Sequence, residues 1–178
     1  MTHLCLLLAL LLAVASGCAR VPGQEVPDVR TPLVVVNEML RLAAVTGDDV
    51  VFDLGSGDGR IVIAAAQYWG ARGVGFEIDP ALVAQATNRA QRLGLADRVT
   101  FHQEDLFRAD LREATVVTLY LSPDLNRRLK PKLLSELRPG ARIVSHAFDM
   151  GEWEPTRTTQ VTSNQGTHTL YLWVVPRK

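Results

Sequence analysis

Cysteine is almost missing from this chain. Cys5 and Cys18 are its two cysteines in 178 residues, and both fall ahead of residue 19. A disulfide framework or a thiolate metal site in the body of the protein is therefore excluded. Neither charge is in excess: 19 basic and 19 acidic side chains cancel. The basic footprint of a nucleic-acid binder is absent, and no nucleic-acid partner is expected. No apolar run reaches the roughly 20 residues of a membrane-spanning helix; the longest, Leu4 to Ala15, stops short of that. The four histidines (His3, His102, His146 and His168) show no ligand spacing, so no metal is expected. Repeats and low-complexity tracts are lacking as well. What remains is an ordinary globular composition, 47% hydrophobic and 21% charged, at the length of one domain.

The apolar run near the N-terminus fits an export signal ending in small residues. Ala15-Ser16-Gly17-Cys18 has the form of a lipoprotein cleavage box that would leave Cys18 lipidated, although Met1-Thr2-His3 lacks a positive charge. Residues 1–18 are thus read as a signal or lipoprotein-type segment and 19–30, with Pro22, Gly23 and Pro27, as a linker. Residues 31–178 form the folded domain. Three placements follow: an exported lipoprotein, a membrane-tethered protein facing the cytosol, or a cytoplasmic protein whose true start lies downstream.

The domain alternates strands and helices. Thr31-Pro32 reads as a helix cap and first helical position, opening a helix over about 32–46. Strands are expected at about 50–55, 73–78, 99–102, 115–121 and 141–148, with helices at 61–69, 81–94 and 125–137 between them. Runs at about 156–162 and 168–175, joined through Ser163-Asn164-Gln165-Gly166, read as a closing antiparallel hairpin. This order predicts an α/β fold with a doubly wound, mostly parallel sheet of seven strands. In such sheets a ligand lies beyond the C-terminal strand ends, where strand order reverses.

The most informative stretch is Val50-Val51-Phe52-Asp53-Leu54-Gly55-Ser56-Gly57-Asp58-Gly59. An apolar strand ends in a turn with almost no side-chain bulk, and a helix starts at once. A ligand can lie against such a backbone, facing the amides of a helix N-terminus. The glycine spacing departs from the dinucleotide fingerprint, and Asp53 two residues ahead of the first glycine disfavours a diphosphate. A carboxylate there suits a cofactor carrying an ammonium and a sulfonium. Asp53, Glu77 and Asp105 each fall at a strand end and converge on one crevice. Glu77 can accept hydrogen bonds from ribose hydroxyls, or be no more than a solvated strand-end carboxylate.

These residues resemble the first motif of the class I S-adenosylmethionine-dependent methyltransferases. The resemblance implies a Rossmann-like methyltransferase fold, S-adenosylmethionine as cofactor, and binding by Asp53, Gly55, Ser56, Gly57 and Glu77, with Asp105 taking the adenine amine. A wider set is similar to the small protein-lysine methyltransferase family that includes the enzyme acting on the ATP synthase c-subunit. It comprises Thr31-Pro32, Met39-Leu40, Asp53 through Ile63, Asp105-Leu106, Leu133 through Leu137, Val144-Ser145-His146 and Trp153-Glu154-Pro155. A protein or small-molecule methyl acceptor is implied, with lysine nitrogen as the first choice. A small-molecule or lipid methyltransferase and a non-catalytic cofactor-binding scaffold stay open, and membrane association through the N-terminal segment would favour the lipid reading.

After the fourth strand, many amino-methylating relatives carry Asn/Asp-Pro-Pro-Tyr/Phe; Ser122-Pro123 matches in part. Tyr120, Ser122 and Asn126 are accordingly the candidates for orienting the acceptor, each with a packing or helix-capping alternative. His146 is a candidate base or a structural histidine, and His168 has no partner visible in sequence.

Overall fold

The computed structural model of the protein describes residues 30–177. The expected export segment and all but the last linker residue lie outside them. In chain order the elements are α1 (Leu33–Leu42), β1 (Val50–Leu54), α2 (Arg60–Trp69), β2 (Arg72–Glu77), α3 (Pro80–Arg92), β3 (Val99–Gln103), β4 (Val116–Leu119), α4 (Pro123–Glu136), β5 (Arg142–His146), β6 (Arg157–Ser163) and β7 (Gly166–Val174). They form one seven-stranded sheet in the order β3-β2-β1-β4-β5-β7-β6. Neighbours from β3 through β5 pair in parallel, whereas β7 runs antiparallel to both β5 and β6. This is the doubly wound fold with a closing hairpin that the residue pattern predicts.

Side-chain alternation sorts the strand residues between two apolar layers. Val51, Val116 and Val144 face α1 and α2, where Val36, Met39, Leu40, Ile61, Val62 and Ala65 are buried. Phe52, Leu54, Val117, Leu119 and Ile143 face the other way, onto Leu129 and Leu133 of α4 and onto Trp173. Asp53 and Thr118 are register partners. By the same alternation they lie on the α1 and α2 side, as does His146. The chain leaves β1 toward β2 and β3, then returns to place β4 on β1's other flank. The reversal point therefore lies between β1 and β4.

Several boundaries differ from expectation for local reasons. Pro32 is itself the N-cap of α1, and the Thr31 side chain makes no cap; its hydroxyl reaches His146 instead. α1 ends at Leu42, short of 46, because Ala44 turns left-handed (φ 49°). The amide of Val45 then bonds to Leu40 and that of Ala44 to Arg41, closing a Schellman motif without glycine. Arg142 reaches from β5 to the carbonyls of Ala43 and Ala44 at the end of α1 and pairs with Asp49. α4 begins at Pro123, with the Ser122 hydroxyl accepting from the Leu125 amide at 3.3 Å, and runs through Pro131. β5 stops at His146 because Ala147 takes φ 68°.

Candidate active site

The turn after β1 is built by three left-handed glycines: Gly55 (φ 80°), Gly57 (φ 52°) and Gly59 (φ 74°). The amides of Gly55 and Ser56 both donate to the Phe76 carbonyl at 2.9 Å, which pins the turn to β2. The glycines serve different ends. A Cβ on Gly59 would sit 2.4 Å from the Phe101 ring, so its lack of a side chain is a packing demand. A Cβ on Gly57 would meet nothing within 4 Å. Gly57 opens instead onto a cavity of about 570 Å³ beyond the C-terminal strand ends.

The carboxylates come to that cavity from different elements. Asp53 is buried and accepts from the Thr118 hydroxyl at 2.7 Å. Burial pushes its carboxyl up to about 7; the Thr118 bond opposes this, while the negative charges of Glu77 and Asp58 add to it. Glu77 Oε2 accepts from the Gly57 amide at 2.9 Å, and Oε1 accepts from Ile78 and Asp79 at 2.8 and 3.0 Å. These bonds hold the carboxylate still. They also occupy three of its roughly four acceptor positions, leaving room for about one further strong bond rather than two. Asp105 lines the cavity, but its Oδ1 already accepts from the Phe107 amide at 2.9 Å in an Asx-type turn. Leu106 and Phe107 continue that wall.

A second cluster closes the opposite side. Arg60 donates to both Asp58 oxygens at 2.9 and 2.7 Å and to the Thr31 carbonyl at 2.8 Å. Arg89 adds a contact to Asp58 at 3.4 Å. Burial alone would raise the Asp58 carboxyl; Arg60 and Arg89 outweigh it and hold it below the usual range. This ion cluster fastens residues 30 and 31 over the glycine turn, and both line the cavity.

All six residues expected to bind cofactor (Asp53, Gly55, Ser56, Gly57, Glu77 and Asp105) line this one cavity. So does Tyr120, whose ring stacks on His146 with centroids 4.0 Å apart; burial raises its phenol above the ordinary value. Ser122 and Asn126 stand apart from the lining of this cavity. Ser122 caps α4. Asn126 is fully buried, and its amide donates to Ser145 Oγ at 2.9 Å and to the carbonyls of Phe148 and Asp149 at 3.0 and 3.3 Å. Four contributors were missed from sequence: Thr118, Arg60, Asp58 and the hydroxyl of Thr31. Thr118 had a visible signal, a polar residue inside the apolar run Val116 to Leu119. Among the described residues, no group of three or more His, Cys, Asp or Glu side chains is placed to hold a metal ion.

The cavity fits a cofactor with a ribose and positive charges. Its volume lies in the range of small-molecule sites, about 300–1,000 Å³. Ser56 Oγ is buried with no hydrogen-bond partner. Gly57 leaves a cradle that any side chain would fill, and Asp53 is a buried acid whose ionised form gains from a nearby cation.

Comparison with known proteins agrees. The family model described as the ANTKMT methyltransferase domain matches residues 53–157. A protein-lysine N-methyltransferase of Saccharolobus islandicus is 42% identical over 152 residues, covering 85% of this chain and 94% of the relative. The adenine nucleotide translocase lysine N-methyltransferase of Mus musculus is 39% identical over 140 residues; the match covers 78% of this chain and 61% of the mouse enzyme. A crystal structure described as an RNA methyltransferase from Salinibacter ruber, in complex with S-adenosyl-L-homocysteine, is 55% identical with a TM-score of 0.81. That match covers 84% of this chain and 95% of the other. Taken with the glycine turn and its carboxylates, these matches place the chain in the ANTKMT methyltransferase domain family, as a methyltransferase that uses S-adenosylmethionine.

Proposed function

We propose that the protein methylates lysine nitrogen in a protein substrate. The observation that carries this reading is a cofactor-sized cavity that, just past β4, is lined by the Tyr120 ring, backed by His146. The two relatives named for lysine methylation support it.

When bound, S-adenosylmethionine supplies an electrophilic methyl group on a positively charged sulfur. Glu77, held by three amides, would take a ribose hydroxyl, and Asp105 with Leu106 and Phe107 would hold the base. Gly55 and Gly57 would let the cofactor approach the backbone, and Asp53 would supply negative charge to offset its cationic groups. Thr31, fastened by Arg60, and Arg30, paired with Asp58, line that end and would help exclude water, which sharpens alignment of the nucleophile. Tyr120 offers a ring face to an incoming ammonium or methylammonium. The acceptor must lose a proton before attack, since a lysine amine ordinarily titrates near 10.4.

The test is to incubate the full chain with methyl-tritiated S-adenosylmethionine and unfractionated cell extract, then separate protein, RNA, lipid and small molecules. Label in protein that survives hydrolysis as methyllysine is the expected result. Label confined to RNA would overturn the lysine reading in favour of the activity named for the Salinibacter ruber protein; label in lipid would favour a membrane acceptor. Residues 1–18 are proposed to carry the chain to a membrane as an export segment. Intact mass of the native protein tests this, with a diacylglyceryl group on Cys18 expected and an unmodified chain starting near Val21 or Val29 refuting it.

A further inference from the structure

A chain of hydrogen bonds leaves the cavity at Thr31. Its Oγ1 lies 3.2 Å from His146 Nδ1; His146 Nε2 lies 2.9 Å from His168 Nδ1; His168 Nε2 lies 2.8 Å from Ser163 Oγ. Ser163 also accepts from the Gln165 amide at 2.9 Å, in the two-residue turn joining β6 and β7. The path therefore begins at the cavity wall, crosses a buried imidazole that is 1% exposed, and ends at partly exposed residues of the hairpin. His146 stacks on Tyr120, so Thr31 and Tyr120 flank one imidazole. Strand order puts them at the β4 and β5 side, across β1 from Glu77.

We propose that Thr31, His146, His168 and Ser163 carry the acceptor's proton out of the cavity. The proposal rests on a nitrogen acceptor, the reading given above. Each neutral imidazole has one N–H and one bare nitrogen, so the chain has two self-consistent arrangements. In the first, Thr31 donates to His146, His146 Nε2–H to His168, and His168 Nε2–H to Ser163, whose own hydrogen faces solvent. In the second, every hydrogen points back toward Thr31. A proton taken from the substrate ammonium by the Thr31 hydroxyl converts the first into the second, and Ser163 releases one proton to water. The freed lone pair then forms the N–C bond while the C–S pair stays on sulfur. Each methyl transferred thus delivers one proton to solvent, and no imidazolium need form.

The surroundings suit this role. The titratable groups facing His146 are Tyr120, from the segment after β4, and His168, from β7; Thr31 is its third polar neighbour. Burial, with a smaller contribution from His168, lowers the His146 imidazole to about 4, which keeps it neutral at ordinary pH. The fold also holds His146 at some cost, since the next residue, Ala147, carries φ 68°.

The experiment compares the full-length wild type with Thr31→Val and His168→Gln, the latter keeping polarity but unable to pass a proton between two nitrogens. Methyl transfer from S-adenosylmethionine to lysine in cell protein is measured in single turnovers between about pH 7 and about pH 10. We expect His168→Gln to slow transfer on the order of 100-fold near pH 7, with the half-saturating concentration of methyl donor unchanged. The deficit should close near pH 10, where the amine sheds its proton unaided, lysine titrating at about 10.4. A deficit that is constant across pH, or none, would overturn the relay, because a packing role does not depend on the acceptor's charge. Imidazole ¹⁵N spectra supply a readout independent of turnover. Thr31→Val should change the tautomer balance at His168, two links away, and an unaltered His168 would refute the coupled chain. Wild type yielding no methyllysine would instead overturn the lysine reading, with the spectra still deciding whether the chain acts as one unit.

Discussion

Asp53 should make this protein lose stability as pH rises toward neutrality. Burial pushes its carboxyl from the ordinary 3.8 up to about 7. Between those values the folded protein holds a proton that the unfolded chain has released, so raising the pH favours unfolding. The stabilisation is complete below about pH 4 and is lost by the time pH passes about 7. At 1.36 kcal/mol per tenfold, the whole span corresponds to about 4 kcal/mol as an upper bound. Asp53→Asn keeps an oxygen for the Thr118 hydroxyl and never ionises. Urea unfolding of both proteins at about pH 5 and about pH 8.5 isolates this group from every other titrating side chain, because the difference between them is what counts. Because about two of those tenfold steps lie above pH 5, the variant should gain on wild type by up to about 3 kcal/mol at the higher pH, while binding S-adenosylmethionine more weakly. Binding to wild type near pH 7 should also release protons, read as a buffer-dependent heat in titration calorimetry, since a cation favours the ionised acid. If the two proteins lost stability in parallel, or wild type stayed level, the assignment of a raised Asp53 would be refuted.

Two glycines should fail in opposite ways. Gly57→Ala places a methyl in open cavity space at φ 52°, so calorimetry should show cofactor binding lost while stability falls by only about 1–2 kcal/mol. Gly73→Ala puts Cβ 2.7 Å from Val62 Cβ and 3.0 Å from its carbonyl oxygen, and should cost about 1–3 kcal/mol in denaturant unfolding. Asn126→Ala strips the donors from Ser145, Phe148 and Asp149; thermal unfolding should show a loss of about 1–3 kcal/mol, with cofactor affinity unchanged. For Asp49, burial acts to raise the carboxyl, but Thr115, Thr46 and Arg142 together hold it below its ordinary value. Its contribution to stability is present above about pH 4 and is lost as pH falls through the lowered folded value. Arg142→Ala should cost about 3 kcal/mol at neutral pH and flatten that part of the acid-unfolding curve.

The glycine turn and its carboxylates were legible because each signal is local. Asp53, Gly55, Gly57 and Glu77 sit where a strand ends and a backbone must bend, and composition reports both. Ser122 and Asn126 are close to β4 along the chain, but successive side chains on a helix point about 100° apart, so Leu125 lines the cavity while its neighbour Asn126 is aimed at β5. Asn126 falls on the β5 side and satisfies Ser145 instead. Pro32 was misplaced by one residue because Thr31 had a better partner than the helix amides. That partner, His146, lies 115 residues away in sequence.

Sequence alone therefore determined the order of strands and helices, the bulk-free bend and the acids beside it, because hydrophobic period and glycine content act over a few neighbouring residues. Tertiary structure decided which polar groups meet. Register between β1 and β4 buried Asp53 against Thr118, and pairing of β5 with β7 brought His146 to His168. The reason is physical: desolvation and hydrogen bonding depend on neighbours supplied by distant strands, and no local pattern records who those neighbours are.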